Sequence, residues 1–301
     1  MLSRFRNAST AQRMCWLTLL LWITQPFALG PLIADALQGV SGELSNAALN
    51  AGSVATWVLW LVVLVSLAVR LPVSLTVARI GLGNAFLLSV WAATFASQTL
   101  SVVLGIAVSV SACATALVPG VADCYINGAS YGEEKRFMLR APGPVLLFFV
   151  VPACMIVVFG ATGGLLLLLN QVWFWGVLAT LGGLPSAVLA FNALYRLTDR
   201  FIVFVPNGLV LHDRNVLREP VLLSKRDVVG LAPAEVDTNA TDLTASALGL
   251  ALEVKLRAPI KLSLVSGRNS TEEHQIKSLL ISPSCPADVM QTAKQRGITV
   301  A

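Results

Sequence analysis

Charge is what this sequence has least of. Of its 301 residues only 12% are Asp, Glu, Lys or Arg, 56% are apolar, and the mean hydropathy is +0.76. Soluble domains carry about 25% charged residues, so this composition excludes a soluble globular enzyme. It equally excludes a disordered chain, which needs high charge and low hydrophobicity. Histidine is scarce: His212 and His274 are the two in the chain. The five cysteines form no CxxC and no Cys/His cluster, which supports neither a disulfide framework nor a zinc site. Cys15, Cys113, Cys124 and Cys154 lie in or beside apolar runs, and Cys285 stands apart near the C-terminus. No HExxH, P-loop or DxD-type acidic pair occurs. No catalytic residue, metal ligand or cofactor is therefore expected.

The charge that is present divides the chain. Residues 1–198 hold nine Lys/Arg and five Asp/Glu, whereas residues 199–301 hold twelve and eleven. This predicts a transmembrane helical domain over 1–198 and a soluble domain over 199–301. Most of the formal net charge of +5 belongs to the first part, where basic residues set orientation. That distribution is not a nucleic-acid footprint.

A spanning helix needs roughly 20 apolar residues. Six stretches qualify: 15–36, 53–70, 80–96, 101–119, 144–168 and 172–195. Segment 71–78 reads either as a hairpin turn or as part of a longer helix. Between the stretches, Lys and Arg fall at Arg4, Arg6 and Arg13, at Arg70 and Arg79, at Lys135, Arg136 and Arg140, and from Arg196 onward; connections 37–52, 97–100 and 169–171 contain none. The positive-inside rule then places both termini and the 120–143 loop on the cytoplasmic side of an inner (plasma) membrane. The first stretch, with Ala34, Asp35 and Ala36 at its end, also has the form of a signal peptide; a retained first helix is the reading adopted. In this orientation the Asn-x-Ser/Thr triplets at Asn7, Asn239 and Asn269 face the cytoplasm and read as chance. Pro26, Pro152 and Pro185 should kink their helices. Gly160 with Gly164, and Ala179 with Gly183, are small-xxx-small spacings suited to close helix packing and, second, to self-association. Ion- or proton-coupled carriers keep ionisable residues within the bilayer. Here the spans hold almost none, which argues against such a carrier and leaves lipid translocation open.

The one polar insertion of the membrane half is the 123–140 loop. Lys135, Arg136 and Arg140 could grip a phosphate-bearing substrate with Asp123 or Glu133 as base, or simply meet anionic headgroups. The second reading is preferred because the loop has no catalytic spacing.

Beyond Arg200 the apolar period changes to two. Residues 201–205 and 209–211 flank a turn at Pro206, Asn207 and Gly208, predicting a hairpin. His212 ends the second strand as a turn residue. Segments 221–224 and 228–231 predict one bulged strand. Leu248, Leu250, Leu252, Val254 and Leu256 share one face, a turn is expected near Ala258 and Pro259, Ile260, Leu262 and Leu264 follow, and 276–281 is a further strand. Pro286, Asp288 and Gly297 bracket a closing helix. Residues 232–246 and 266–275 read as loops.

Residues 201–213, the segment 219–231 with its basic centre at Lys225 and Arg226, and the helix at 286–296 together resemble the bacterial pleckstrin-homology-like (PH-like) domains attached to membrane helices. The resemblance covers about the last third of the chain, and the layout of helices followed by such a tail is similar to envelope membrane proteins of actinobacteria. It implies a partly open β-barrel capped by a helix, used for binding and not for catalysis. Phosphoinositide-binding members carry basic residues in the first hairpin loop; Pro206, Asn207 and Gly208 supply none.

The fold class expected is thus a six-helix polytopic bundle followed by a small β-rich PH-like domain. The function expected is that of a non-catalytic membrane protein that recruits or regulates a partner at the membrane. Lys135, Arg136, Arg140, Lys225 and Arg226 are its candidate contacts with membrane lipids or a protein partner. A transport or lipid-translocation component is the alternative, followed by an enzyme acting on a lipid-linked substrate.

Overall fold

The computed structural model of the protein describes residues 10–40, 46–235, 237–266 and 270–300. Arg4, Arg6, Asn7 and Asn269 lie outside them. Helices run over α1 (Thr10–Val40), α2 (Asn46–Ala68), α3 (Pro72–Ala93), α4 (Thr99–Ala116), α5 (Pro119–Asn127), α6 (Gly143–Phe148), α7 (Val150–Leu169) and α8 (Trp173–Thr198). Six of them, α1 to α4 with α7 and α8, are long and apolar enough to cross a membrane. Segment 72–78 is helical: Leu71 is extended and Pro72 opens α3, a position where the missing N–H costs no helical bond. The stretch expected at 144–168 is two helices, since α6 ends before α7 begins at Val150. Pro152 falls in the first turn of α7 and displaces no intrahelical bond there, while α1 continues past Pro26 and Pro31 and α8 past Pro185.

The chain forms two compact units. The first takes in residues up to Cys124 together with Val150–Leu194. In it, α1 packs on α4, α4 on α3 and α3 on α2, around a core that includes Trp22, Leu32, Val63, Leu82 and Ala112. Small residues set the spacing. A methyl at Gly105 would stand 2.7 Å from Leu32 Cδ2, and one at Gly160 would stand 2.5 Å from the Gly183 carbonyl oxygen. Neutral hydrogen bonds tie α1 to α4: Gln25 Nε2 donates to Ser109 Oγ at 2.7 Å and Thr18 Oγ1 to Thr115 Oγ1 at 2.9 Å. At the end of α1, the Asp35 carboxylate accepts the main-chain N–H groups of Ser97 and Gln98, at 2.7 and 3.0 Å. It thereby satisfies N–H groups at the start of α4 that have no helical partner.

The second unit joins Tyr125–Phe149 to Tyr195–Ala301. Its strands are β1 (Lys135–Met138), β2 (Arg200–Val205), β3 (Gly208–Asp213), β4 (Val221–Ser224), β5 (Val228–Pro233), β6 (Thr241–Asp242), β7 (Leu252–Ser266) and β8 (Ser270–Ile281), closed by helix α9 (Pro286–Gln295). One sheet has the order β1-β2-β3-β4, the other β5-β7-β8-β6. The loop assigned by sequence to the membrane half thus supplies a strand. β1 pairs antiparallel with β2, from Lys135 opposite Phe204 to Met138 opposite Phe201, and the Leu139 N–H donates to the Arg200 carbonyl at 2.9 Å. Two neighbouring strands are therefore separated in sequence by α6, α7 and α8. Since β1 and β2 are antiparallel, the connections to those helices leave from one end of the sheet.

The two sheets close at two corners. At one, Leu139 bridges Pro283, with Arg140 N–H on the Ser282 carbonyl and Ser284 N–H on that of Met138. At the other, Leu217 bridges Leu264, and the Val265 N–H reaches the Val216 carbonyl. Phe137, Ile202, Phe204, Leu223, Leu252 and Ile281 fill the interior, with Val289 and Ala293 of α9 packed on them.

Further local readings are corrected, among them the loop expected at 266–275, which is strand β8 from Ser270 onward. Segments 221–224 and 228–231 are not one strand: the turn at 225–227, where Asp227 N–H bonds the Ser224 carbonyl, sends β4 and β5 into different sheets. Leu248 and Leu250 precede β7 and are exposed. No turn interrupts β7 at Pro259. A register irregularity between Lys255 and Ile260 absorbs the bend instead, as bulges do at barrel corners.

Candidate functional site

Three of the five candidate cations share one end of the first sheet. Lys135 begins β1 opposite Phe204, Ser224 ends β4 opposite Gly208, and the Lys225 N–H donates to the Asn207 carbonyl at 2.8 Å. Lys135, the β2–β3 turn and the Lys225/Arg226 pair therefore lie together, at the end opposite the connections to α6 and α8. The last turns of α9 reach the same place. Lys135 Nζ donates to Thr292 Oγ1 at 2.9 Å and sits 5.1 Å from the Phe137 ring centre. Gly297, at φ 70°, terminates the helix, and a methyl there would stand 2.8 Å from Lys225 Nζ. Arg296 Nη2 donates to the Glu133 carbonyl, with Nη1 3.9 Å from Glu133 Oε2. Unpaired carbonyls make a helix C-terminus favourable for cations, which is why basic side chains gather here. Arg226 is exposed in the turn.

Arg136 and Arg140 do not join them. Arg136 lies on the outer face of β1, 3.1 Å from Glu134 Oε2, with its guanidinium 5.6 Å from the Phe201 ring centre. Phe201 stacks on His212 at 4.6 Å and 18°. His212 is thus an in-strand residue of β3 and not a turn. Its Nε2 lies 3.5 Å from Asp199 Oδ2, which is also 3.3 Å from Arg214 Nε. The main chain of Arg136 is held by Asn127, whose Oδ1 accepts its N–H at 2.8 Å and whose Nδ2 donates to its carbonyl at 2.6 Å. Arg140 is scaffold: Nη1 donates to the Leu248 carbonyl at 3.0 Å, and its own carbonyl accepts Arg200 Nη1 at 3.0 Å.

Arg200 and Asp213 form a buried ion pair in this unit, both almost fully enclosed. Arg200 Nε and Nη2 donate to Asp213 Oδ2 at 2.9 and 2.7 Å, and Asp213 Oδ1 accepts the Asn215 N–H at 3.0 Å. With Arg200 Nη1 on Arg140, every charge here has a partner, so the pair fixes the start of β2 and offers nothing to a ligand.

Sequence reasoning missed Arg296 and Thr292. The helix at 286–296 was legible, and Lys294 and Arg296 at its end were the available signal. Their convergence with Lys135 was not, because it depends on β1 crossing from before α7 into the sheet. Among the described residues no three His, Cys, Asp or Glu side chains come together as a metal site. The barrel interior has a void of about 10 Å³ lined by Ile202, Phe204, Val254 and Val289 among others, room for no more than one water. No known protein family, curated protein or solved structure matches the chain.

Proposed function

We propose that the protein is a non-catalytic multi-pass membrane protein whose β-rich unit is a PH-like scaffold that recruits or regulates a protein partner at the cytoplasmic face of the inner membrane. One observation carries this reading. The helical segment 143–198 is inserted between adjacent strands β1 and β2, which tethers one end of the sheet twice and leaves Lys135, Lys225, Arg226 and Arg296 at the other. Two four-stranded sheets closed at their corners under one helix support the PH-like assignment. The interior is packed with apolar side chains, so the surface is where a partner binds. The loop carboxylates support this against an enzyme on a lipid-linked substrate: Glu134 pairs with Arg136, and Glu133 lies beside Arg296.

A transport or lipid-translocation component remains the second reading. Its support is Gln25 Oε1, a buried acceptor in the bundle without a hydrogen-bond partner. Crosslinking in native membranes tests the first reading. A stoichiometric protein is expected on the wild type and lost from Lys225→Glu/Arg226→Glu; retention by that variant removes this surface from the function.

A further inference from the structure

Cys15 and Cys124 are a thiol pair that the scaffold reading does not use. Cys15 lies in the second turn of α1, two residues after Arg13, and Cys124 lies in α5. One turn earlier on each helix the backbones come close, since a methyl at Gly120 would stand 3.0 Å from Ala11 Cβ. The Cβ atoms of a disulfide are about 3.5–4.5 Å apart, so α1 and α5 approach there within disulfide reach. From Ala11 to Cys15 and from Gly120 to Cys124 are equal four-residue steps, which return to the same helix face. Cys15 and Cys124 stand one turn beyond that approach, and their thiols neighbour each other closely enough for each to act on the other. Both are free thiols, Cys15 buried and Cys124 half-buried.

Cys124, the more exposed of the two, is within reach of water-soluble reagents. The apolar stretch of α1 has 28 residues, about 42 Å at 1.5 Å per residue, whereas the hydrocarbon core is about 30 Å thick. Its first turns therefore extend into the interface, as Arg13 requires. Cys124 belongs to a helix outside all six candidate spans.

We propose that Cys15 and Cys124 are a redox-active dithiol site that takes a small soluble disulfide of the glutathione type as oxidant and closes to an intramolecular disulfide clasping α1 to α5. The more exposed Cys124 is the attacking sulfur and the buried Cys15 the resolving one. The Cys124 thiolate attacks the small disulfide, forming a mixed disulfide and releasing one thiolate. Cys15 then gives its proton to solvent and attacks the Cys124 sulfur, displacing the second thiolate. Two protein thiols are oxidised, and one disulfide is reduced to two small thiols. The hydrogen bond from Cys15 lowers the Cys124 pKa to about 7; burial opposes it, the Arg70 charge assists and the neighbouring Asp123 carboxylate opposes. A thiol with its pKa near ambient pH is the effective attacker in such exchange.

The test uses full-length protein in lipid nanodiscs, treated with glutathione disulfide and mapped by mass spectrometry after alkylation. The wild type should lose two alkylatable thiols and yield a linked peptide pair containing Cys15 and Cys124. Its rate should rise about tenfold from pH 6 to pH 8 as the thiolate fraction grows. Cys15→Ser should stop at a glutathione adduct on Cys124, and Cys124→Ser should yield neither product. Five alkylatable thiols in the treated wild type, or a link between any other two cysteines, overturns the proposal without reliance on any variant. An adduct on Cys15 in Cys124→Ser overturns the assigned order of attack.

Discussion

Trp22 and Trp60 exchange hydrogen bonds across α1 and α2: the Trp22 indole N–H donates to the Trp60 carbonyl at 2.9 Å, and the Trp60 indole to the Trp22 carbonyl at 3.1 Å. Lipid offers no competing partner, yet interhelical hydrogen bonds in membranes average only about 0.6 kcal/mol and reach about 1.7. Trp22→Phe and Trp60→Phe should each therefore cost about 1 kcal/mol in mixed-micelle unfolding. The double variant should cost less than the sum, because the residues share one contact. Additive losses would show that the exchange is not a coupled unit.

Gly160 and Gly183 permit a closer approach still. A methyl at Gly160 meets the Gly183 carbonyl, and one at Gly183 lies 2.7 Å from that of Gly160. Backbone cannot give way as a side chain can, so either Gly→Ala change should force α7 and α8 apart at a cost of about 1–3 kcal/mol. Gly163→Ala and Gly182→Ala meet nothing within 4 Å and should stay within about 0.5 kcal/mol of wild type. Thermal unfolding in nanodiscs distinguishes the two pairs.

A fragment of residues 199–301 lacks β1, and with it Phe137 and Leu139 from the core. It should be poorly folded by circular dichroism. Because the Leu139 N–H meets the Arg200 carbonyl, residues 125–140 can be joined to 199–301 through a short turn, which keeps the Arg140 carbonyl on Arg200 and makes β1 and β2 an ordinary hairpin. This spliced protein should be soluble and unfold cooperatively. Equal stability of the two fragments would show that β1 contributes nothing to the unit.

In the spliced protein, Arg200→Met should cost about 3–5 kcal/mol, since it strands the buried Asp213 carboxylate. Adding Asp213→Leu should recover most of that loss. Denaturant titration reads both, and an unrecovered double variant would mean that the pair orders the start of β2 in a way apolar packing cannot replace.

What the sequence disclosed follows from which patterns are local. Six apolar helices, the β2–β3 hairpin and the closing helix each lie within one continuous stretch, where period and punctuation suffice. Lys135 to Met138 looked like a polar loop because four residues are too short to show alternation, and their partners lie beyond two membrane helices. The corner of β7 misled for a related reason: Pro259 reads as a turn, yet the strand continues past it through an irregularity. The candidate cations were visible one by one. Grouping Lys135 with Lys225 and separating both from Arg136 and Arg140 required the sheet register.

Vesicle binding tells a protein partner from anionic lipid at the basic sheet end. A base near an anionic surface contributes about 1 kcal/mol, and the attraction is screened over about 10 Å at 0.1 M salt. Residues 199–301 hold twelve basic and eleven acidic side chains, Glu133 lies beside Arg296, and Lys135 is committed to Thr292. Lys225 and Arg226 are then two exposed bases there, with the exposed Asp227 carboxylate beside them. Two bases amount to about 2 kcal/mol, too little for stable docking on a bilayer but enough to discriminate between protein surfaces. The spliced domain should therefore sediment weakly with phosphatidylserine vesicles at every salt concentration, and Lys225→Glu/Arg226→Glu should leave that unchanged while losing the crosslinked partner. Strong pelleting that fades with salt and disappears in the charge-reversed variant would assign the sheet end to headgroups instead.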